Sequence, residues 1–182
     1  GCGAVVLSIG SGGNRATCGW GEVLGTAVNQ DGRSATLTAP NGPRQEEVIR
    51  RAARRAGVAL STVKYVETHG TGTSLGDPQE ANALANVFAA DDRLLASSSL
   101  LVLGAVKSNV GHLEAAAGMA SLVKALGCLQ HGVVTTNVLH AAELNPYLKA
   151  SVETMAMIMP TSEEADLDPL NVVGVSSFGF GG

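Results

Sequence analysis

The sequence predicts an α/β fold in which helices cover both faces of a mostly parallel β-sheet. Short apolar runs alternate with longer segments of helical periodicity along the 182 residues, and this order is typical of parallel sheets. Aromatic residues make up only 3% of the chain while glycine contributes 23 residues, which favours a core of Ala, Val and Leu with close backbone approaches. Polar motifs directly follow several predicted strands, where open α/β sheets place their ligands.

The predicted elements follow one another in strand–helix order. A short apolar run from Ala4 to Ile9 comes first, and a glycine-rich stretch follows it. The predicted strands are Val23 to Val28, Val63 to Glu67, Leu101 to Val106 and Val172 to Val175. The predicted helices run from about Pro43 to Gly57, Pro78 to Ala90 and Leu113 to Gln130. The stretch from Thr135 to Asp168 is less regular and is predicted to form a long surface connection.

Capping signals and apolar periodicity support the first two helices. Pro43 suits the first turn of a helix, and Gly57 suits its end. Asp77 is the expected N-cap of the second helix. The residues expected to line the buried face of the first helix are Val48, Ile49, Ala52, Ala53 and Ala56. Those expected to face inward from the second helix are Ala81, Leu84, Ala85 and Phe88.

The charge balance restricts the possible partners. A net charge of −4 and a pI near 5.5 argue against a general nucleic-acid-binding protein. An arginine cluster nevertheless occurs on the first predicted helix, at i,i+4 spacing after Glu46 and Glu47. The cluster consists of Arg50, Arg51, Arg54 and Arg55. A solvated helix face explains this run, and docking of an acidic partner is the alternative.

Cysteine usage indicates the cellular compartment. Cys2, Cys18 and Cys128 form no CxxC pair and no even-numbered disulfide framework, so we expect an intracellular setting, with the cytoplasm as the default and an organelle as the alternative. All three thiols are expected to be structural. The sequence contains no secretory signal and no uninterrupted apolar span of membrane length, so no membrane partner is expected.

Two of the four histidines are candidates for chemistry. His69 and His112 each follow a predicted strand by a few residues, and their strands are expected to be close neighbours in one sheet. His112 is also expected to begin a helix, where the helix dipole favours the neutral imidazole. A neutral imidazole can donate a hydrogen bond to developing negative charge. His131 and His140 lack a partner motif and are interpreted as surface or helix-end residues.

Other chemistries fit the same residues poorly. A zinc site is disfavoured, because His112 and Glu114 would point about 200° apart around a helix axis and no His-Glu-x-x-His or cysteine pair occurs. A serine hydrolase is disfavoured, because Ser176 and Ser177 are not in a Gly-x-Ser-x-Gly motif. Phosphate binding is disfavoured as well, since Lys107 lacks the glycine-rich loop of a P-loop.

Four segments resemble the ketosynthase (β-ketoacyl synthase) domains of type I polyketide synthases. They occur in the family's order and cover most of the chain. The segments are 27–32 (Ala-Val-Asn-Gln-Asp-Gly) with 38–43, 66–73 (Val-Glu-Thr-His-Gly-Thr-Gly-Thr) with 76–78, 107–124, which opens on Lys-Ser-Asn-Val-Gly-His, and 174–182, which ends in Gly-Phe-Gly-Phe-Gly-Gly. The resemblance implies a thiolase-like fold, of which residues 1–182 are expected to form the C-terminal half.

The resemblance also implies a reaction. A cysteine accepts an acyl chain from an acyl carrier protein, a malonyl-type extender loses CO₂, and the resulting enolate attacks the acyl thioester. His69 and His112 match the two histidines that bind the enolate oxygen. Lys107 matches the family's lysine, with an electrostatic and hydrogen-bonding role expected in preference to proton transfer.

Further residues match supporting and binding positions of the family. Glu114 is expected to support the site as a charge partner of Lys107, and Asn109 is a second supporting residue. Thr71 and Thr73 match residues that line the phosphopantetheine channel, with turn formation as the alternative. Phe180 matches the loop that gates acyl entry and offers a peptide N–H to the oxyanion, while Phe178 is expected to serve packing.

The family's nucleophile and last strand have no counterpart in the sequence. The surroundings of Cys2, Cys18 and Cys128 do not match the family's nucleophile, which is expected upstream of Gly1. The resemblance implies no directly bound cofactor and no metal, because the substrates are carried on the phosphopantetheine of an acyl carrier protein. A homodimer and other synthase domains are the further partners it implies. The alternative is a non-catalytic ketosynthase-like partner or scaffold.

Overall fold

The computed structural model consists of helices packed around a parallel sheet. The described residues are 19–32, 36, 39–89, 100–138, 146, 148–149, 157–167 and 172–179. The α-helices are α1 (Gly42–Ala56), α2 (Gly76–Ala89), α3 (Lys107–Val110) and α4 (Ala117–His131), and 3₁₀ turns span Leu60–Thr62 and Glu114–Ala116. The strands are β1 (Val63–Glu67), β2 (Leu101–Gly104), β3 (Val133–Val134), β4 (Met157–Ile158), β5 (Ala165–Asp166) and β6 (Val172–Val175).

Three strands of the main sheet end at the same level. Its order is β4–β2–β1–β6, and every neighbouring pair is parallel. The register pairs Glu67 with Gly104 on one side and with Val175 on the other. The chain therefore leaves β1, β2 and β6 at a single edge, which is where open α/β sheets form their sites. A separate antiparallel pair is formed by β3 and β5.

Helices pack on both faces of the sheet. Leu101 and Leu103 of β2 join an apolar cluster with Leu84 of α2. Val102 lies between them in sequence and joins a different cluster with Ala125 of α4. Because successive side chains of a strand point to opposite faces, the two clusters lie on opposite sides of the sheet. The predicted α/β class with a mostly parallel, two-sided sheet is confirmed.

Several predicted elements agree with the structure. Both β1 and β6 have the predicted bounds. A hydrogen bond from the Arg44 N–H to the Asn41 side chain caps α1, and Gly57 ends it in the left-handed conformation. The residues expected to face inward from α2 are all buried, namely Ala81, Leu84, Ala85 and Phe88. The predicted inner face of α1 is half-buried, at Val48, Ile49, Ala52, Ala53 and Ala56. The apolar run at 4–9 lies outside the described residues.

The predicted strand from Val23 to Val28 is wrong, because this segment has no regular secondary structure. The segment lies along α1 instead. Arg55 donates a hydrogen bond to the carbonyl of Thr26 at 3.0 Å, and a Cβ at Gly25 would lie 2.5 Å from the backbone nitrogen of Ala56. The backbone of this segment is therefore packed against a helix and is not paired with any described strand.

The arginine cluster of α1 serves the fold in part. Arg50 donates to the carbonyl of Asn86 at 2.8 Å, near the C-terminal end of α2, where helix carbonyls lack partners within the helix. Arg55 makes the bond to the Thr26 carbonyl at 3.0 Å. Two of the four clustered arginines therefore join α1 to neighbouring segments. Contacts within the chain explain the presence of these two without an acidic partner.

The helix predicted from Leu113 to Gln130 is interrupted at its start. A short helix, α3, opens at Lys107 and stops at Gly111, whose φ is +78°. A 3₁₀ turn follows, and α4 begins only at Ala117. His112 consequently lies in the connection between α3 and that turn. The expectation that His112 begins a long helix and feels its dipole is therefore wrong.

The stretch from Thr135 to Asp168 is more than the predicted surface connection. Its described part contributes β4, which extends the sheet beyond β2, and β5. Met157 is buried in the apolar cluster on the α2 side, and the side chain of Asn137 is fully buried. Two-residue strands leave too short an alternation to be recognised in a sequence, which explains the error.

Candidate active site

The loops after β1, β2 and β6 bring three rings together at the carboxyl edge of the sheet. The ring centroids of His69 and His112 are 5.8 Å apart, with an angle of 88° between the ring planes. Phe178, in the loop after β6, stands 5.7 Å from the His69 ring. The two histidine rings lie close together, as expected for residues that follow neighbouring strands with aligned ends. Phe178 packs directly on His69, so its packing role belongs to the site.

Two buried carboxylates of α2 hold the loop that carries His69. Glu80 accepts hydrogen bonds from the peptide N–H groups of His69 at 2.8 Å and Gly70 at 3.0 Å. Asp77 accepts one from Gly72 at 3.0 Å. Gly70 has a φ of +46°, and a Cβ there would lie 2.9 Å from that of Ala105. The sequence reasoning missed Glu80, although its position in the first turns of the helix after the His69 loop was a usable signal.

Thr73, and not Asp77, takes the capping role at the start of α2. The Thr73 hydroxyl accepts a hydrogen bond from the Gly76 N–H at 3.0 Å and lies 3.2 Å from the Thr71 hydroxyl. Asp77 is inside the helix, in its first turn. The expected N-cap is therefore wrong. The turn-forming alternative for Thr73 is present in the structure, and the channel-lining role of Thr71 and Thr73 stays a prediction.

Lys107 opens α3 and carries its ammonium group into a buried setting. The residue is only 6% exposed, and its Nζ has no hydrogen-bond partner among the described residues. Burial lowers the pKa of Lys107, and the negative charges of Glu80, Glu67 and Asp77 oppose that effect. Glu114 is exposed and makes no ion pair with Lys107 in the described part of the chain. The charge partner expected for Lys107 is therefore wrong.

Glu114 supports His112 through its backbone instead. The Glu114 peptide N–H donates to Nδ1 of His112 at 2.9 Å. Since Nδ1 accepts this bond, a neutral His112 ring carries its proton on Nε2. Glu114 adopts a φ of +51°, the only left-handed value among the described non-glycine residues. This strained conformation aims the N–H at the imidazole, and the side chain stays exposed.

The electrostatics of the site favour a neutral His69. Burial, followed by the positive charge of Lys107 and the interaction with His112, lowers the pKa of His69 from 6.5 to about 4. Its Nδ1 is buried without a hydrogen-bond partner in the described ranges. Burial also raises the pKa of Glu80 to about 7, although the hydrogen bonds from the N–H groups of Gly70 and His69 act to lower it. Near neutral pH the ring is uncharged and can donate or accept a hydrogen bond.

Two asparagines anchor the turn around Lys107. Asn109 donates to the carbonyl of Thr136 at 3.2 Å and accepts from the hydroxyl of Ser108 at 2.8 Å. The fully buried Asn137 accepts from the N–H of Ala105 at 2.7 Å. The sequence predicts Asn109 as a supporting residue, and these bonds give it a physical means of support. Asn137 was missed, because it lies in the irregular stretch after β3.

The remaining candidate residues divide into two groups. Cys128 is buried, and burial raises the pKa of its thiol. That protonated thiol lacks the acidity of an activated nucleophile, in agreement with a structural role. His131 is exposed at the end of α4. The other residues, Cys2, Cys18, His140 and Phe180, lie outside the described residues.

The described ranges hold neither a metal-binding cluster nor a membrane-spanning helix. Within them, no group of three or more His, Cys, Asp or Glu side chains is placed to hold a metal ion. None of the helices in this part of the chain combines the length and the apolar character that crossing a bilayer requires.

Comparison with known proteins identifies the family. A model of the beta-ketoacyl synthase C-terminal domain matches residues 20–141. The chain belongs to this family. Erythronolide synthase EryA3 of Saccharopolyspora erythraea is 45% identical over 88% of this chain. A phenolphthiocerol/phthiocerol polyketide synthase of Mycobacterium tuberculosis is also 45% identical over 88%. The chain spans only 5% and 8% of the length of these two synthases.

Solved ketosynthase structures share the fold of this family member. The oxazolomycin ketosynthase domain OzmH KS7 of Streptomyces albus JA3453 is 34% identical, with a TM-score of 0.76 over 87% of this chain and 28% of that chain. Domain KS8 of the same synthase is 32% identical with a TM-score of 0.72, over 87% of this chain and 41% of that one. The thiolase-like fold and the resemblance to ketosynthases of type I polyketide synthases are confirmed.

Proposed function

We propose that this beta-ketoacyl synthase family member supplies the histidine and lysine side of a condensing site for polyketide chain elongation, with fatty-acid elongation as the close variant. In this proposal residues 1–182 form the C-terminal half of a ketosynthase domain, and the cysteine nucleophile belongs to its other half. The observation that carries the proposal is the His69–His112 pair, with ring centroids 5.8 Å apart beside the buried Lys107.

The charge that develops during decarboxylation matches this pair. A malonyl thioester loses CO₂ when the electrons of the breaking C–C bond move onto the thioester oxygen, which becomes an enolate oxygen. Hydrogen-bond donors aimed at that oxygen stabilise the transition state. His112 is suited to this task because its Nδ1 accepts the Glu114 N–H and leaves Nε2–H free to donate. His69 is suited because its pKa of about 4 keeps it neutral.

Carbon–carbon bond formation completes the proposed reaction. The enolate carbon attacks the acyl carbon of the thioester on the cysteine, a tetrahedral oxyanion forms, and the cysteine thiolate leaves. We assign Phe180 to the oxyanion hole and to gating of acyl entry by family resemblance. Lys107 is assigned an electrostatic role, since its ammonium is buried near His69 and contributes to the low pKa of that ring.

The partners follow from the same proposal. The substrates are carried on the phosphopantetheine of an acyl carrier protein, with Thr71 and Thr73 lining the channel, and no separately bound cofactor is needed. A homodimer and neighbouring synthase domains complete the proposed assembly, in the cytoplasm. A non-catalytic scaffold is the less favoured alternative, because it would not require a neutral His69 next to a buried Lys107.

The proposal is tested in a complete ketosynthase domain that contains this chain. We expect His112→Ala to reduce release of ¹⁴CO₂ from malonyl-carrier protein by about 100-fold or more, as removal of one oxyanion donor does in other enzymes. The matched control is His131→Ala, which removes an exposed histidine from the end of α4 and should leave the rate unchanged. Wild-type protein that releases no CO₂ would refute the proposed function, and full activity of His112→Ala would refute the role of His112.

A further inference from the structure

A buried carboxylate at the end of β1 contacts β1, the turn after β2 and α4. Glu67 has no solvent exposure. Its Oε1 accepts a hydrogen bond from the peptide N–H of Val106 at 2.5 Å. Its Oε2 accepts a hydrogen bond from the hydroxyl of Tyr65 and lies 3.1 Å from Nζ of Lys124. Both oxygens of a carboxylate buried next to the sheet edge are therefore occupied.

The partners of Glu67 lie next to the residues of the proposed chemistry. Glu67 itself is two positions before His69 in the chain, and Val106 directly precedes Lys107. Lys124 belongs to α4, the helix that follows the His112 connection. A single side chain thus joins the segment that carries His69 to the turn that presents Lys107, and it joins both to α4.

The fold makes room for this carboxylate with a glycine on the neighbouring strand. Its neighbour across the sheet is Gly104, where a Cβ would lie 2.6 Å from Oε2 of Glu67. Burying an ion pair is costly, and replacing one with apolar residues often leaves stability unchanged or improves it. A contribution to stability alone therefore explains the Glu67–Lys124 pair poorly. The hydrogen bond from the Val106 N–H to Glu67, by contrast, fixes the geometry of the turn next to the site.

We propose that Glu67 is a positioning residue, which holds the Val106–Lys107 turn in register with His69 through its bond to the Val106 N–H, while Lys124 balances its charge. The inference rests on the proposed condensation function. Glu67 touches no reacting atom, so its effect is transmitted through the turn. Misplacement of a site group by about 1 Å can reduce a rate by about 100-fold, which makes such a role detectable.

Two double variants of the complete ketosynthase domain separate positioning from charge. Glu67→Met with Lys124→Met removes both buried charges and also the acceptor of the Val106 N–H. Glu67→Gln with Lys124→Met removes both charges but keeps an amide oxygen for that bond. We expect the Met/Met variant to lose about 10- to 100-fold in kcat for CO₂ release from malonyl-carrier protein. The Gln/Met variant should stay within about threefold of wild type, with KM nearly constant in both.

The outcomes separate this inference from the proposed function. Wild-type release of CO₂ establishes the reaction independently of Glu67. If the two double variants then have equal kcat, the positioning role is refuted. The positioning role also fails if transfer of the acyl group to the nucleophile, measured by mass spectrometry, falls as much as decarboxylation does. Val87→Ala, at a fully buried position of α2, controls for a general loss of stability.

A measurement on the wild-type domain tests the inference without any variant. The Val106 amide lies beyond the end of β2, in a turn, and its only described partner is Glu67. We expect its hydrogen exchange to be as slow as that of the β2 amides, because the carboxylate protects it. Exchange as fast as that of exposed loop amides would overturn the inference even if the Met/Met variant failed to fold.

Discussion

Replacing Glu80 with Gln should change the pH dependence of folding stability in a defined direction. Glu80 is 4% exposed, and its two carboxylate oxygens accept the N–H groups of His69 and Gly70. The amide of Gln keeps one of these acceptors and turns an NH₂ group toward the other N–H. That mismatch costs about 1–3 kcal/mol at any pH. The pH-dependent part of the change comes from the lost carboxyl.

The magnitude follows from the pKa of Glu80. Burial raises this pKa from 4.5 to about 7. A carboxyl with a higher pKa in the folded than in the unfolded protein favours folding when it is protonated, so its contribution is complete below pH 4.5 and is lost as the pH rises to about 7. Each pKa unit corresponds to about 1.4 kcal/mol, which gives a loss of about 3 kcal/mol over this range.

Unfolding of the complete ketosynthase domain at several pH values between 4.5 and 8 measures this difference. Relative to wild type, Glu80→Gln should gain about 3 kcal/mol of stability as the pH rises to 7, and the difference should stay constant above that. The control is Val87→Ala, at a buried position of the same helix, which removes no titratable group and should show no such slope. A difference that does not vary with pH would show that burial does not raise the Glu80 pKa and would refute the reasoning.

Two further pairs of variants test the backbone geometry of the site. Glu114 has a φ of +51°, and this left-handed conformation aims its N–H at His112. We expect Glu114→Gly to keep the rate of CO₂ release within about threefold of wild type, and Glu114→Ile to lower it by about tenfold, because a β-branched residue resists this conformation. Equal rates of the two variants would contradict this account. Gly104→Ala places a Cβ against Tyr65 and Glu67 and should lower the unfolding free energy by about 1–3 kcal/mol. The matched Gly127→Ala, inside α4 with open space around its Cβ, should raise it by about 0.5–1 kcal/mol, and a stabilised Gly104→Ala would refute the packing account.

The sequence predicted the parts of the fold that depend on long periodic patterns. In β1 three of the five residues are β-branched or aromatic, namely Val63, Tyr65 and Val66, and in α2 the inward positions recur at helical spacing, so both elements were found. Val23 to Val28 shows a similar apolar pattern but packs along α1, and only the tertiary contacts of Gly25 and Thr26 distinguish the two cases. Local pattern alone does not specify the pairing partner of a strand.

The candidate site was predictable where residues follow strand ends and was missed where contacts are long-range. His69 and His112 were found because each follows a predicted strand, and level strand ends bring them together. Asn137 binds the N–H of Ala105, which precedes it by 32 positions, so spacing gave little sign of it, whereas Glu80 lies in the helix after the His69 loop and was overlooked. The prediction that Glu114 is the charge partner of Lys107 was wrong. Glu114 contacts His112 through its backbone N–H, and its side chain is exposed.

The distribution of charge around Lys107 explains why an electrostatic role suits this residue better than proton transfer. Its buried ammonium faces the negative charges of Glu80, Glu67 and Asp77, which favour the charged form against the cost of burial. The same ammonium disfavours a second positive charge on His69, whose pKa falls to about 4. If Lys107 gave up its proton, this restraint on His69 would weaken, and the ring would become easier to protonate at the moment when it should donate a hydrogen bond to the enolate. Retention of the proton on Lys107 therefore serves the proposed chemistry, and the carboxylates of α2 and β1 are placed to favour it.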